Sequence, residues 1–372
     1  MTYQLTADDP VTLTAQLIDI PSVSGQEKQI ADAVERLLRT CGHLEVLRDG
    51  DAVLARTHQG ASERVIIAGH VDTVPIADNV PHQRLTYEGN DYLVGRGSVD
   101  MLGGVAMALY AAVHVRNPRY DVTWIFYDNE EVAAELNGLG RIERNHPDWL
   151  DADFAILGEP TDARIEGGCN GTVRIRADFS GKAAHSARSW TGDNAIHKTA
   201  PIIASLASYG NPEVDVDGLA YKESLSVVRI EGGIAGNVVP DKASVWVNYR
   251  FAPSRTPEEA VERVCEYFVG SGAHICVEDV AVGARPGMHM PIAQDFVSAV
   301  SSVASVYHGY SCDIVGPKYG WTDVARFAAR GVPALNYGPG DPLLAHTREE
   351  RVQVAQIRQC AHTLASWLGH KS

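Results

Sequence analysis

The 372-residue sequence lacks the features that mark several protein classes, and its longest apolar runs fall far short of the roughly 20 residues of a membrane-spanning helix. Its first ten residues, MTYQLTADDP, are acidic, whereas a signal peptide begins with a basic segment and continues with an apolar one. The six cysteines include no C-x-x-C pair, which argues against a cysteine zinc site and against a disulfide framework. They are Cys41, Cys169, Cys265, Cys276, Cys312 and Cys360. We therefore expect a cytoplasmic protein whose thiols are reduced.

Positive charge is also scarce. The chain has 32 Lys and Arg against 47 Asp and Glu, which gives a formal net charge of -15 at pH 7. Nucleic acids and anionic membranes bind basic surfaces, so neither is expected as a partner. The sequence also lacks internal repeats and low-complexity segments, and its length exceeds the size at which a single hydrophobic core keeps growing. We expect a globular protein of two domains.

Most of the chain alternates between strand and helix patterns. Residues 27–40 and 103–115 have the apolar spacing of helices. Residues 64–70, 121–128 and 153–159 are short apolar runs typical of buried strands. This alternation predicts an α/β fold with a mostly parallel sheet. It resumes near residue 282, with helices at 294–307 and 349–369 and a strand within 332–340.

The pattern changes between these two α/β stretches. Residues 172–180 alternate apolar and polar side chains, and the segments that follow read as helix, strand, strand, helix and strand. Those segments are 194–208, 224–233, 243–253, 256–269 and 274–280. The order β-α-β-β-α-β is that of the split βαβ sandwich. We predict a small α+β domain, residues 168–281, inserted into a larger domain of residues 1–167 and 282–372.

Acidic side chains and histidines follow several of the predicted strands, where open α/β sheets collect their functional sites. Taken singly each is ordinary, because a histidine at a strand end or a Glu-Glu pair is usually a solvated surface residue. Together they form a set of nitrogen and oxygen ligands suited to zinc, cobalt or manganese. The set comprises His70, Asp100 in a glycine-rich turn, Asp128, Glu130, Glu131, Glu159 and His346.

The motifs around these residues resemble a known family. In order they are GHVDTVP, GRGSVDMLGG, YDNEEV, GEPT, AHSARSW, GNVVP and AHTREE. Together they resemble the di-zinc amidohydrolases that include acetylornithine deacetylase, aminoacylase and carboxypeptidase G, and the resemblance covers essentially the whole chain. It implies a zinc-hydrolase catalytic domain with an inserted domain that serves for dimerisation and as a lid. A homodimer is therefore expected.

The resemblance also implies a ligand set. His70 and Glu159 would bind one zinc ion and Glu131 and His346 the other, with Asp100 bridging the two. Cobalt or manganese could take the place of zinc. The resemblance further implies a cis peptide bond after the bridging aspartate.

Three further residues receive catalytic roles from the same resemblance. Asp72 would orient the His70 ring and raise its basicity, as the partners of metal-bound histidines do. Glu130 would serve as general base and then general acid. His185 of the inserted domain would reach the active site of the partner subunit and stabilise the oxyanion.

The substrate-binding residues implied are Arg250, Asn237 and Thr322. Members of the group that act on succinylated substrates often have two arginines where this chain reads Cys169-Asn170, and a tyrosine where it reads Arg188. Recognition of the acyl group therefore either relies on Arg188 or has changed.

On this basis we expect an amide hydrolase that releases succinate from N-succinyl-L,L-2,6-diaminopimelate, in the formation of lysine and of cell-wall precursors. A deacylase or carboxypeptidase of the same group acting on another N-acyl amino acid is the first alternative. A zinc-binding relative without catalysis is a second, although such a protein would not need Glu130 as a base. A dinucleotide-binding protein is less well supported, because GRGSVD misses the third glycine of that fingerprint.

Overall fold

The computed structural model of the protein describes residues 3–308 and 314–369, so Cys312 lies outside the described residues. The chain divides into two compact units. The first comprises Met1–Gly167, Gly287–Gly316 and Arg326–Ser372, and the second comprises Gly168–Pro286 and Pro317–Ala325. Our sequence-based boundaries, 168–281 for the small domain, leave out residues 282–286 and 317–325.

Hydrogen bonds explain why these two extra segments belong to the second unit. The amide of Asn170 donates to the carbonyl of Lys318, and the indole of Trp321 donates to the carbonyl of Val282 at 3.0 Å. Cys169 and Ala284 pair as an isolated antiparallel bridge. Contacts so distant in the sequence leave no periodic signal, so the boundary could not be read from the pattern.

Helices and strands alternate along the described chain. The helices are α1 (Pro10–Ile18), α2 (Lys28–Arg39), α3 (Leu102–His114), α4 (Gly138–Asn145), α5 (Ala195–Ala207), α6 (Pro257–Glu266), α7 (Pro291–His308), α8 (Val324–Ala329) and α9 (Val354–Leu368). The strands are β1 (Glu45–Asp49), β2 (Ala52–Arg56), β3 (Arg64–His70), β4 (Gln83–Tyr87), β5 (Asn90–Val94), β6 (Asp121–Tyr127), β7 (Phe154–Leu157), β8 (Ile165–Gly167), β9 (Gly171–Ser180), β10 (Ala184–His185), β11 (Glu213–Val216), β12 (Leu219–Lys222), β13 (Ser224–Gly232), β14 (Val238–Val239), β15 (Lys242–Phe251), β16 (His274–Ala281), β17 (Val315–Pro317), β18 (Ala334–Asn336) and β19 (Arg351–Gln353). No helix among the described residues is both long enough and apolar enough to cross a membrane.

The first unit is built on a mixed sheet with the order β1-β2-β6-β3-β7-β18-β8-β17. The four neighbours β6, β3, β7 and β18 run parallel, while β1, β2 and β8 are antiparallel to their neighbours. All of β6 and nearly all of β3 are buried, as expected for strands covered on both faces. The predicted α/β class is confirmed, with the parallel strands at the centre of the sheet.

Helix α3 closely approaches Gly158, the residue that follows β7, at the edge of the sheet where the parallel strands end. A Cβ atom placed on Gly104 would lie only 1.9 Å from the carbonyl oxygen of Gly158, so α3 can approach this closely only because residue 104 is glycine. Asp100 lies just before α3, and Glu159 follows Gly158. The contact therefore brings the segments carrying these two carboxylates close together.

The second unit contains the predicted split βαβ arrangement. Its four-stranded sheet has the order β13-β15-β9-β16, with every neighbouring pair antiparallel. Helices α5 and α6 pack with the inward-facing residues of β9 and β15 to form its core. The predicted start of α6 is also confirmed, because Thr256 and Glu259 form a reciprocal capping box.

One predicted element was wrong at its start. We expected a single helix over residues 349–369, but residues 351–353 form β19, which pairs with β5, and α9 begins at Val354. The segment R-V-Q-V alternates polar and apolar side chains, and only Val352 is fully buried in β19. Period-two alternation is the signal of a strand, and the strong helical pattern that follows obscured it.

Candidate active site

His70 is the last residue of β3, and its ring is almost completely buried. Its Nδ1 atom lies 3.0 Å from the carbonyl oxygen of Asp72 and 3.5 Å from the Asp72 Oδ1 atom. Its Nε2 atom lies 3.2 Å from the Oδ1 atom of Asp100. One ring nitrogen is therefore oriented by residue 72, and the other faces the turn that contains Asp100.

The buried carboxylate of Asp72 connects three segments of the chain. Its Oδ1 atom accepts the backbone N–H of Glu130 at 3.0 Å, and its Oδ2 atom accepts that of Glu131 at 3.1 Å. The Ser24 hydroxyl donates to Oδ2 at 2.8 Å. The sequence led us to expect only a contact with His70. The structure shows that Asp72 also fixes the backbone of the Glu130-Glu131 pair.

Asp100 lies between two histidines. Its Oδ1 atom faces Nε2 of His70 at 3.2 Å, and its Oδ2 atom faces Nε2 of His346 at 3.2 Å. The Nε2 atom of His346 also lies 2.9 Å from Oε1 of Glu131. The expected cis peptide bond between Asp100 and Met101 is present. Each oxygen of a single carboxylate therefore meets a different imidazole, as a bridging ligand requires.

These contacts shift the pKa values of the histidines and carboxylates. Burial opposes charge on His70, but hydrogen bonds to Asp100 and Asp72 raise its pKa well above the usual value. Hydrogen bonds to Asp100 and Glu131 raise the pKa of His346 to about 10. Burial works against ionisation of Asp100, yet its contacts with both histidines lower its pKa. The protons on the two imidazoles compensate the negative charge of the carboxylates.

The donor atoms fit a divalent metal. His70, Asp100 and Glu131 each offer a ligand atom within 4.8 Å of the others, and His346 contacts two of the three. The set contains imidazole nitrogen and carboxylate oxygen without thiolate, a choice that suits zinc, manganese or cobalt. Glu159 is buried where β7 ends beside β3, but its carboxylate is not one of these clustered donors.

The loop after β6 carries Glu130 and Glu131. Asn129 has a left-handed backbone with φ of 58°, and its N–H donates to Oε1 of the buried Glu27 at 3.2 Å. Asp128, also a candidate from the sequence, pairs instead with Arg141 and accepts a hydrogen bond from the Asn129 side chain. Asp128 therefore anchors the loop, while Glu27 and Asp72 fix its course.

The remaining predicted residues belong to the second unit. His185 and Asn237 lie close together, because β10 pairs with β14 and the N–H of Ser186 donates to the carbonyl of Asn237. Arg250 is opposite Thr172 in the β15–β9 ladder. Thr322 is buried, and its carbonyl lies near the Cys169 thiol. Arg188 is exposed on the segment after β10.

Three residues of the site escaped the sequence reasoning. Ser24 donates to Asp72, and Arg96 and Glu350 form a buried ion pair whose carboxylate accepts the N–H of Asp100. Arg96 and Glu350 lie inside two motifs that we quoted, GRGSVD and AHTREE, but we read the first as a glycine turn and the second for its histidine. Spacing alone gives no sign that these two side chains meet.

The sequence profile described as Peptidase family M20/M25/M40 matches residues 66–370. The chain belongs to this family and is a metal-dependent hydrolase. It is 51% identical over 362 residues to the putative succinyl-diaminopimelate desuccinylase of Mycobacterium tuberculosis H37Rv, covering 97% of this chain and 98% of that one. It is 47% identical over 368 residues to the succinyl-diaminopimelate desuccinylase of Corynebacterium glutamicum, covering 97% and 96%.

A solved structure supports the fold. A tripeptidase from Staphylococcus aureus superposes with a TM-score of 0.78 over 98% of both chains. The two sequences are only 18% identical, so this likeness concerns the fold alone. It supports the expected α/β fold with a large, mostly parallel sheet and additional antiparallel sheets.

The raised pKa of His346 leads to a prediction about pH. A histidine whose pKa rises on folding stabilises the folded state fully below its unfolded pKa near 6.5, and this contribution is lost as the pH rises through the folded pKa of about 10. We expect the Tm of protein stripped of divalent ions by a chelator to fall between about pH 7 and pH 10, and the fall to be smaller in His346→Asn. Ring NMR signals should assign the titration. A His346 ring that titrates near 6.5 would contradict the prediction.

Proposed function

We propose that the protein hydrolyses N-succinyl-L,L-2,6-diaminopimelate to succinate and L,L-diaminopimelate, a step in lysine and peptidoglycan precursor biosynthesis. The observation that carries the proposal is the placement of His70 and His346 on the two oxygens of Asp100, with the backbone N–H of Glu130 bound to Asp72. The relatives that are 51% and 47% identical over nearly the whole chain support this choice of substrate. The cytoplasm is the expected location, and the five described cysteines are unpaired thiols.

We assign the metal ligands as the resemblance implies. His70 and Glu159 would hold one ion, Glu131 and His346 the other, and Asp100 would bridge them. Zinc is the proposed ion, with cobalt or manganese able to substitute. Such ions supply Lewis acidity, which polarises a carbonyl group and lowers the pKa of water.

Glu130 is the proposed general base and acid. It would take a proton from the water that attacks the amide carbon, and return it to the nitrogen as the C–N bond breaks. Its backbone N–H is fixed on Asp72, whose carbonyl also orients the His70 ring. The base and a metal ligand are thus positioned by one residue, which supports a fixed distance between them.

Arg250, Asn237 and Thr322 are the proposed cationic and polar anchors for the substrate. Arg250 is half-buried and has no ion pair within residues 3–308 and 314–369. Burial and the neighbouring Arg174 lower its pKa, which means that the charged guanidinium is disfavoured there. A carboxylate of the substrate would stabilise that charge. Arg188 also lacks an ion pair among the described residues and is the second cation that we propose for the acyl side.

His185 is the proposed donor to the oxyanion, acting from the partner subunit of a homodimer. Its Nδ1 atom accepts the N–H of Ala187 at 3.1 Å, which places the proton of a neutral ring on Nε2. The side chain is exposed, as a group that reaches another chain must be. β13 is an edge strand of the second unit, with Val228 and Ile230 exposed, which supports pairing with a second copy.

The function is tested with a panel of amides on protein loaded with zinc, cobalt or manganese. We expect hydrolysis of N-succinyl-L,L-2,6-diaminopimelate to exceed that of N-acetylornithine and of C-terminal dipeptides by at least about 10²-fold in kcat/KM, because a polar group of the site that is left without its substrate partner discriminates strongly. Two metal ions should be found per chain. Faster turnover of an acetylated or peptide substrate would favour the alternative enzyme of the family, and no turnover by metal-loaded protein would favour a non-catalytic relative.

Adjacent glutamates should respond differently to substitution. Glu130→Gln removes the proton carrier and should lower kcat by roughly 10²-fold or more while both metals stay bound. Glu131→Gln changes a proposed ligand and should weaken binding of the second metal ion. Metal content by elemental analysis, measured beside kcat, separates the two effects. Near-normal kcat in Glu130→Gln would remove Glu130 from its role.

Mixing two inactive variants tests whether His185 acts across subunits. His185→Ala should lower kcat by about 10²- to 10³-fold with both metals bound, since it removes an oxyanion donor. If His185 serves the partner, a mixed dimer of His185→Ala and Glu130→Gln contains one intact site. Random exchange makes half the dimers mixed, so we expect about a quarter of wild-type activity for a two-fold dimer. Mixtures that stay inactive after verified subunit exchange would contradict the shared site.

A further inference from the structure

A buried ion pair lies behind the cluster of histidines and carboxylates. Glu350 and Arg96 are 1% and 4% exposed, and the Arg96 Nη1 atom donates to the Glu350 Oε2 atom at 2.7 Å. The other carboxylate oxygen, Oε1, accepts the N–H of Val99 at 3.0 Å and that of Asp100 at 3.1 Å. Glu350 therefore binds the backbone of Asp100 itself, with its own charge compensated by Arg96.

The guanidinium of Arg96 reaches two further segments. Its Nε atom donates to the carbonyl of Pro75 at 3.1 Å, five residues after His70. Its Nη1 atom also donates to the carbonyl of Thr347 at 3.1 Å, directly after His346. One side chain thus connects the segments that carry His70, Asp100 and His346, which are far apart in the sequence.

The turn before Asp100 wraps around Glu350. The N–H of Gly95 donates to the Glu350 carbonyl at 3.0 Å, and the N–H of Gly97 points at its carboxylate. Gly97 has φ of 80°, and a Cβ there would lie 2.8 Å from the side chains of Leu102 and Thr73. Glycine is required for a turn that presents several N–H groups to one anion.

We propose that Arg96 and Glu350 are positioning residues that set the distance between the two metal sites, by fixing the Asp100 turn to the segments of His70 and His346. This inference rests on the proposed function only in taking those three residues as metal ligands. Neither Arg96 nor Glu350 is among the proposed metal ligands or substrate anchors. Their effect is on the geometry of the ligands, and therefore on metal affinity.

The physical reason is the cost of an unpaired buried charge. Glutamine at position 350 keeps the size of the side chain but has one acceptor oxygen where the carboxylate has two. An NH₂ group would then face either the N–H groups of Val99 and Asp100 or the guanidinium of Arg96. In either arrangement the NH₂ group faces other N–H donors with no acceptor between them, so the turn must shift. A shift of the bridging ligand weakens both metal sites at once.

Glu350→Gln should therefore bind zinc about 10- to 100-fold more weakly at both sites, the range seen when partners of metal ligands are changed. Zinc affinity is measured by competition with a chromogenic chelator, and the visible spectrum of the cobalt-substituted protein reports a change in ligand geometry. Circular dichroism and Tm establish that the variant is folded. Wild-type zinc affinity and an unchanged cobalt spectrum in folded Glu350→Gln would overturn the proposal.

The second unit offers a matched control. Glu223 is also fully buried, and its Oε1 atom accepts the N–H of Ala252 at 3.1 Å and Nε of Arg255 at 2.8 Å. Glu223→Gln removes a carboxylate of the same kind and should lower Tm without changing zinc affinity. An equal loss of zinc affinity in Glu223→Gln would mean that general destabilisation, and not ligand positioning, explains the effect.

Arg96 variants test the pair if Glu350→Gln fails to fold. Arg96→Lys keeps the charge and one donor to Glu350 but cannot also reach the carbonyls of Pro75 and Thr347, so zinc should bind several-fold more weakly. In folded variants, Arg96→Met with Glu350→Gln should weaken zinc binding no more than the worse single change, because neither partner remains to be left unpaired. Wild-type affinity in Arg96→Lys, or fully additive losses in the double variant, would contradict a paired role. Failure of the succinyl substrate assay would leave these zinc measurements unaffected.

Discussion

The hydrogen bonds of the Asp72 carboxylate are the contact on which the rest of the site depends. β3 and β6 are neighbouring parallel strands, so the chain leaves both at the same edge of the sheet. Asp72 follows β3 and accepts the backbone N–H groups of Glu130 and Glu131, which follow β6. These hydrogen bonds hold the segments that follow β3 and β6 together. Removing that carboxylate would free the loop that carries the proposed base and a proposed ligand.

The site concentrates several carboxylates at the end of the buried sheet, and neighbouring cationic side chains compensate their negative charge. His70 and His346 hold protons between carboxylates, and their raised pKa values record that attraction. Glu350 is balanced by Arg96, and Asp128 by Arg141. Buried charges persist in proteins when they are paired and hydrogen-bonded, and every one of these carboxylates has such partners. Divalent cations would replace the two imidazole protons as the balancing charge.

Within the proposed function, the two units supply side chains of different kinds. The first contributes the histidines and carboxylates from rigid ends of a buried parallel sheet, where the backbone has little freedom. The second contributes exposed or half-buried side chains, among them His185 and Arg250, from an antiparallel sheet covered by helices on one face.

Much of the fold was predictable from local pattern. β3 has the predicted limits, 64–70, because a strand of a parallel sheet that is buried on both faces reads as a continuous apolar run. The helix predicted from residue 256 begins where Thr256 caps α6, and such a start is set by residues only three apart. β19 was missed because its three residues adjoin a much longer helical pattern. Arg96 and Glu350 were missed because they are 254 positions apart and no periodicity links the two.

The sequence by itself determined the α/β alternation, the inserted β-α-β-β-α-β unit and the residue types of the candidate site, because each follows from neighbours along the chain. Only the tertiary structure decided which of those residues meet. It placed His70 and His346 on opposite oxygens of Asp100, directed Asp128 to Arg141, and brought Glu350 under the Asp100 turn. Local patterns arise from side-chain periodicity within one element. The site arises where loops from separate strands converge, and that convergence is fixed by strand order, by the close approach of α3 to Gly158, and by buried hydrogen bonds.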